Sequence, residues 1–226
     1  AGGGRNPRPG EITLAHRGVL FLDEMPEFSR RSLEILRQPL EDKVIRISRV
    51  YGTYDFPADF MLCAAMNPCP CGHYPDMNRC RCTPAQVMQY LGRISQPLLD
   101  RLDLCAEVSP VDFEGLSSGR KGESTQTIRE RVICAQDIQR ERYKIEGIQF
   151  NGELSGAQIE KYCKMEKDAR QLLKMAFQNM SFSARAYHRI LKVARTIADM
   201  EATESIHRHH IAEALSYRAF DKKYWN

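Results

Sequence analysis

The stretch Gly18-Val19-Leu20-Phe21-Leu22-Asp23-Glu24 constrains this chain more than any other. Four apolar residues in a row, closed by two adjacent carboxylates, predict a buried strand. Periodicity alone leaves a buried helix open, and Val19 and Phe21 favour the strand. Asp and Glu are seldom buried unless paired or bound to a metal. In open α/β sheets ligands sit beyond the carboxyl ends of the strands, which is where Asp23 and Glu24 would lie. The functional reading is a Walker B pair: Asp23 holds Mg2+, directly or through water, and Glu24 orients the attacking water. The bland reading is a strand that exits into a polar turn.

A second apolar run, Phe60-Met61-Leu62-Cys63-Ala64-Ala65-Met66, also ends in a polar residue, Asn67. Two such runs predict adjacent strands of a parallel sheet. Between them, Ser29 is placed to cap a helix of about three turns with Leu33, Leu36 and Leu40 on one face, which Pro39 should bend or end near Gln38. Residues 43–56 alternate around Gly52 and predict a β-hairpin carrying Lys43, Arg46 and Arg49. Upstream, residues 1–18, rich in Gly, Pro and Arg with a short apolar run at Ile12–Ala15, read as a loop or hairpin leading into the strand. Downstream, Thr83, Pro84 and Gln86 form a capping box with proline at the first helical position, and Leu102–Val108 reads as a third strand.

Residues 115–123 are rich in Gly, Ser and Lys and read as a linker. Beyond it the pattern is helical throughout, over about 124–142, 155–164, 166–179, 183–200 and 207–219, with Tyr217, Phe220, Tyr224 and Trp225 expected to pack the chain end onto this bundle. The fold class is therefore α/β followed by all-α: residues 1–114, a linker at 115–123, and a helical domain at 124–226.

Composition narrows the function classes. With 226 residues, a net charge of +4 and no apolar run near the roughly 18 residues a bilayer span needs, the chain reads as a globular, cytoplasmic protein without a membrane segment. The charge permits nucleic-acid binding without arguing for it. No G-x-x-x-x-G-K-[ST] phosphate loop occurs, and the chain opens on Ala1, as expected of a piece of a longer protein whose phosphate-binding loop lies upstream.

Eight cysteines without a secretory signal point to metal ligands or inert thiols rather than disulfides. Cys69, Cys71, Cys80 and Cys82 form C-x-C-x8-C-x-C, ligand chemistry that suits a tetrahedral structural zinc site although the spacing is tighter than C-x2–4-C. His73 could replace one thiolate, and the alternative is free thiols in a loop. Cys63, Cys105, Cys134 and Cys163 lie in apolar patterns and are expected in the core.

Taken together, Gly10-Glu11-Ile12, Leu14-Ala15-His16, the Gly18–Glu24 run, Ala65-Met66-Asn67-Pro68-Cys69-Pro70-Cys71-Gly72, Ser183-Ala184-Arg185-Ala186-Tyr187 and Arg195-Thr196-Ile197-Ala198-Asp199 closely resemble the magnesium-chelatase-like AAA+ ATPases of bacteria, in particular their YifB/ComM group. The resemblance implies part of an AAA+ P-loop NTPase core, a parallel sheet with a hairpin insertion, plus a helical lid domain. It puts Asp23 and Glu24 on Walker B and Asn67 on sensor 1, which positions water or the γ-phosphate. Arg101 falls on the arginine finger, with Arg93 as rival. Arg185 falls on sensor 2, with Arg189 and Arg195 close enough to be misread for it. The 43–56 hairpin corresponds to an insertion lining a ring pore, where Lys43, Arg46 and Arg49 would meet DNA phosphates. The implied cofactors are ATP and Mg2+, with structural Zn2+ as a further expectation. The implied assembly is a homo-oligomeric ring, a hexamer, and the implied activity is a helicase or branch-migration motor in competence or recombination. By itself this stretch would be inactive. Two competitors remain, an ATPase subunit of a magnesium chelatase that loads Mg2+ into a porphyrin, and a non-catalytic, zinc-stabilised interaction module.

Overall fold

The computed structural model describes residue 2 and residues 7–50, 52–108, 122–180 and 183–225. The chain divides into two compact units, residues 1–102 with 221–226, and residues 103–220. The expected linker at 115–123 falls, but for its last two residues, outside the described residues, as does Tyr51 at the hairpin tip.

In the first unit, β1 (Val19–Leu22) and β4 (Met61–Ala64) pair in parallel, Val19 opposite Met61 and Leu22 opposite Ala64. The expectation of neighbouring parallel strands holds. The expectation of burial holds on one face only. Leu20 and Leu22 pack against the core, whereas Val19 and Phe21 are each 59% exposed and Met61 67%. Successive side chains alternate across a strand, and the core of this unit covers just one side of the pair. Residues 12–15 are not a hairpin. Gly10 starts a single turn, α1 (Glu11–Leu14), by accepting from the Thr13 and Leu14 N–H groups, and Ile12 is buried beneath it.

The helix after β1 is two short helices, α2 (Arg30–Ile35) and α3 (Arg37–Asp42), meeting at Leu36. The break precedes Pro39 rather than falling beside it, because a proline ring clashes with the carbonyl four residues back and lacks an N–H to close that turn. Ser29 caps the first helix as expected, its hydroxyl accepting from the Ser32 N–H, and Leu33 and Leu36 are buried. The antiparallel hairpin β2 (Val44–Arg49) and β3 (Gly52–Pro57) buries Ile45 and Ile47 on its inner face. Beyond it come α4 (Pro84–Leu91) and α5 (Gln96–Leu99). Leu102–Val108 is not a strand. The Cys105 N–H bonds the Tyr217 carbonyl, and no ladder partner exists among the described residues.

The second unit is helical: α6 (Thr125–Arg142), α7 (Gly156–Tyr162), α8 (Lys167–Met180), α9 (Ala184–Met200) and α10 (Arg208–Trp225), whose last residues cluster with the first unit. Ser124, Ser155 and Ser183 cap three of these helices through their hydroxyls. The fully buried core includes Tyr143, Ile190, Ala194, Ile206 and Ile211. Tyr224 and Trp225 do not pack on this bundle. They sit with α4 and the cysteine loop in a separate cluster.

Candidate functional site

The parallel register carries the acidic pair and Asn67 to one end of the strand pair. Past the last pair, the Ala65 N–H donates to the Leu22 carbonyl (2.9 Å) and the Met25 N–H donates to the Ala65 carbonyl (3.0 Å), so the two exit segments run side by side. Asp23, Glu24 and Asn67 lie in these segments and are all exposed. Glu24 adopts a left-handed backbone, φ 49° and ψ 45°, and its N–H donates to Asp23 Oδ1 at 2.9 Å. A non-glycine residue in that region is uncommon and concentrates at functional turns. The Asp23 carboxylate thus lies against the Glu24 backbone, and both side chains are exposed.

Arg93 reaches this turn from within the same unit. Its guanidinium donates to the Pro26 carbonyl and to Glu27 Oε2, each at 2.9 Å. It therefore braces the segment after Glu24, a role its sequence position did not disclose. Arg101 has a side chain only 8% exposed. It donates to the Arg37 and Pro97 carbonyls and to Glu41.

In the second unit Arg185 is exposed, while Arg189 pairs with Asp103. Arg195 is completely buried, bonded to Asp199 (3.1 Å) and to the Thr203 and Glu204 carbonyls. Asp199 also pairs with Arg142 and accepts from Asn151 Nδ2 (2.9 Å). This arrangement satisfies a buried charge on every side and identifies Arg195 as a structural residue.

The hairpin cations do not share a face. Arg46 forms a two-pronged bond with its cross-strand partner Asp55, at 2.9 and 3.0 Å. Lys43, in a left-handed turn before β2, lies 3.3 Å from Asp59, which also meets Arg17 at 3.4 Å. Arg49 donates to the Ser48 carbonyl near the tip.

Directly after Asn67 the chain folds into a knot of cysteines. The sulfurs of Cys69, Cys71, Cys80 and Cys82 all lie within 4.8 Å of one another. Measured pairs are 3.4 Å (Cys69–Cys71), 3.6 Å (Cys71–Cys80) and 3.8 Å (Cys69–Cys80). Four sulfurs about 2.3 Å from one zinc, at tetrahedral angles, lie about 3.8 Å apart, and the pairs among Cys69, Cys71 and Cys80 are close to that spacing. Cys69 is fully buried and accepts from the Tyr74 N–H at 3.4 Å. Backbone N–H groups of His73 and Arg81 draw the Cys71 thiol down to about 6. Cys80, though the Cys82 backbone favours its thiolate, is pushed up to about 12 by burial and the neighbouring sulfurs. His73 takes part through its backbone and its ring is not in the cluster. Outside the knot, Cys163 is buried as expected, but Cys63 and Cys134 are exposed. Cys63 lies on the uncovered side of β4, and Cys134 faces outward on α6.

A second cluster, Glu201, His209 and His210, also gathers potential ligands, yet its hydrogen bonds argue against a metal. The His207 N–H donates to His210 Nδ1 (3.0 Å), so the ring proton sits on Nε2, where it faces Glu201 at 2.9 Å. A metal on Nε2 would need the proton on Nδ1, against another donor. His210 instead closes the first turn of α10, as Gln86 does for α4.

The sequence profile of the family described as "Magnesium chelatase, subunit ChlI" matches residues 1–116, and that of "Magnesium chelatase, subunit ChlI C-terminal" matches residues 122–218. Among individual proteins, the chain is 48% identical over 223 residues to YifB of Salmonella typhimurium, a protein described as uncharacterized; the match covers 98% of this chain and 43% of that one. It is 48% identical over 219 residues to the competence protein ComM of Haemophilus influenzae, covering 96% of this chain and 42% of that one. An uncharacterized protein of Mycobacterium tuberculosis is 40% identical over 217 residues, covering 96% and 43%. The chain thus spans less than half the length of these relatives. No helix among the described residues is long and apolar enough to cross a membrane.

Proposed function

Because the chain belongs to the magnesium chelatase ChlI family, a family of AAA+ ATPases, we propose that it forms the acid side of an ATP-hydrolysing site in a DNA-acting ring motor. The observation that carries this reading is the meeting of Asp23, Glu24 and Asn67 at one end of the parallel pair β1/β4. Asp23 would hold Mg2+ on the nucleotide, Glu24 would orient the attacking water, and Asn67 would fix that water or the γ-phosphate. The ion offsets the charge on the phosphate oxygens. The glycine-rich loop that cradles the phosphates does not occur in these 226 residues, and the proposal assigns it to sequence outside them. Arg185 would reach phosphate from the helical lid. Arg101 would act on a neighbouring subunit's nucleotide, which requires it to leave Glu41 when the ring assembles.

Residues 1–114 would be the α/β core, 115–123 the linker and 124–226 the lid. DNA as the track rests on the likeness to a competence protein and on Lys43, Arg46 and Arg49 of the hairpin, with a hexamer as the working assembly and helicase or branch migration as the activity. The cytoplasm is the matching location. The cysteine knot would hold one structural Zn2+. The family description favours one second reading, the ATPase subunit of a magnesium chelatase, in which a partner subunit rather than DNA would stimulate hydrolysis.

The test is Glu24→Gln in the complete protein. We expect retained ATP binding, loss of hydrolysis by at least about 100-fold, the scale of a lost catalytic group, and DNA-stimulated hydrolysis in the unsubstituted protein. Hydrolysis that survives the substitution would refute the site. Stimulation by a chelatase partner and not by DNA would favour the second reading.

A further inference from the structure

The cysteine knot is packed between two features that have no sequence proximity to each other, the asparagine at the end of β4 and the aromatic residues at 224–225. On one side, Gly72 has φ +79°, and a β-carbon built there would lie 3.9 Å from Cγ and Oδ1 of Asn67. The Asn67 carboxamide is therefore a near neighbour of the Cys69–Gly72 turn, which is closed by the Gly72 N–H donating to the Cys69 carbonyl at 3.0 Å. On the other side, the Tyr74 ring meets Tyr224 edge-on with centroids 6.2 Å apart, and the Tyr74 N–H is the one that donates to Cys69 Sγ. Cys82 leads at once into the Thr83 cap of α4, whose final residue, Leu91, accepts from the indole N–H of Trp225 at 3.0 Å. Cys69, Cys80, Cys82, Tyr224 and Trp225 share one apolar cluster. All these residues belong to the first unit.

Thiols packed this closely have little to hold them together by themselves. A sulfhydryl is a weak donor, and a 14-residue loop ordered by such bonds alone would cost more in lost chain freedom than it gains. A metal tying four points of the loop supplies that free energy.

We propose that Zn2+ bound by Cys69, Cys71, Cys80 and Cys82 is the keystone of this packing, so that metal occupancy sets both the placement of Asn67 and the seating of Tyr224 and Trp225. The proposal rests on the zinc reading of the knot and adds to it a consequence that the zinc alone does not require. The ligand class is a thiophilic d10 cation, Zn2+ rather than Mg2+, since magnesium demands oxygen ligands.

Trp225 is the only tryptophan in the chain, which makes the coupling directly visible. The 226-residue chain, purified without chelator, is assayed for zinc with a colorimetric chelator while indole emission and far-UV circular dichroism are followed. We expect about one zinc per chain. Its removal should red-shift and weaken the emission with helicity largely kept, and re-added Zn2+, but not Mg2+, should restore it. Cys71→Ser should carry little zinc and show the shifted emission from the start. Cys134→Ser, on an exposed cysteine outside the knot, should behave as the parent. Less than about one zinc per five chains, with the emission of the chelated protein already present, would remove the zinc site itself. Stoichiometric zinc whose removal leaves the emission unchanged would keep the site and overturn the coupling. Global loss of helicity on chelation would also overturn it, since the proposal confines the effect to the first unit.

Discussion

Single residues in this chain divide by how fully their hydrogen bonds are satisfied within it. Arg195 and Asp199 are both completely enclosed, and each bonds partners on every side. Removing one charge from such a pair leaves the other buried and uncompensated, at a cost of about 3–5 kcal/mol. Asp199→Ala is therefore expected to lower stability by about that amount in urea-unfolding experiments followed by circular dichroism; a loss under about 1 kcal/mol, the range of an exposed pair, would show that the pair is not buried in solution. By contrast Asp23, Glu24 and Asn67 are exposed and concentrated at one strand end. Carboxylates left facing solvent beside a left-handed turn contribute little to holding the fold, which leaves them available for a ligand.

At the scale of elements, the hairpin β2–β3 is where charge and pairing compete. Arg46 and Asp55 are opposite one another and bonded twice. The guanidinium holds the Asp55 carboxyl below its usual range, and Asp55 raises Arg46 in turn. A cation so engaged gives less to a phosphate than a free one. If the hairpin tracks DNA, Asp55→Asn in the complete protein should tighten DNA binding and steepen its salt dependence by about one unit of slope, the release of roughly one counterion. Adding Arg46→Gln should return both to the parent values. Tighter binding that persists in the double substitution would trace the gain to general charge and not to Arg46. The exit turns of β1 and β4 show the opposite case, where backbone bonds between Leu22, Met25 and Ala65 hold two polar segments together without using their side chains.

For the molecule as a whole, the described residues form three apolar clusters, two in the first unit and one in the second. The proposed motor implies a head-to-tail assembly, because a residue acting on a neighbour's nucleotide makes a heterologous contact, and such contacts give a ring where the rotation closes. Arg101 is the residue on which this turns, and within the chain it bonds Glu41 and two carbonyls. Mixing two inactive complete proteins, one Glu24→Gln and the other Arg101→Ala, should recover part of the ATPase activity, since some junctions then join an intact glutamate to an intact arginine. Mixed rings without recovery would leave Arg101 as a brace between α5 and α3 and remove it from the reaction.

Much of this was legible from residue order alone. Local chemistry announces itself locally: the Thr83 box, the Ser29 cap of α2, the alternation of the hairpin, and the two apolar runs ending in polar residues all depend on neighbours within a few positions. The four-cysteine spacing likewise marked the residues that gather, though not how closely their sulfurs approach. Tertiary packing decided the rest. Whether a strand is covered on one face or two depends on what lies against it, so Val19 and Phe21 could not be placed from their own hydrophobicity. The roles of Arg93, Arg101 and Arg195 depend on which carbonyls and carboxylates arrive beside them from about 4 to 67 residues away. The seating of Trp225 on Leu91 spans 134 residues. Periodicity carries no information about a contact at that separation, because only the folded chain brings the two together.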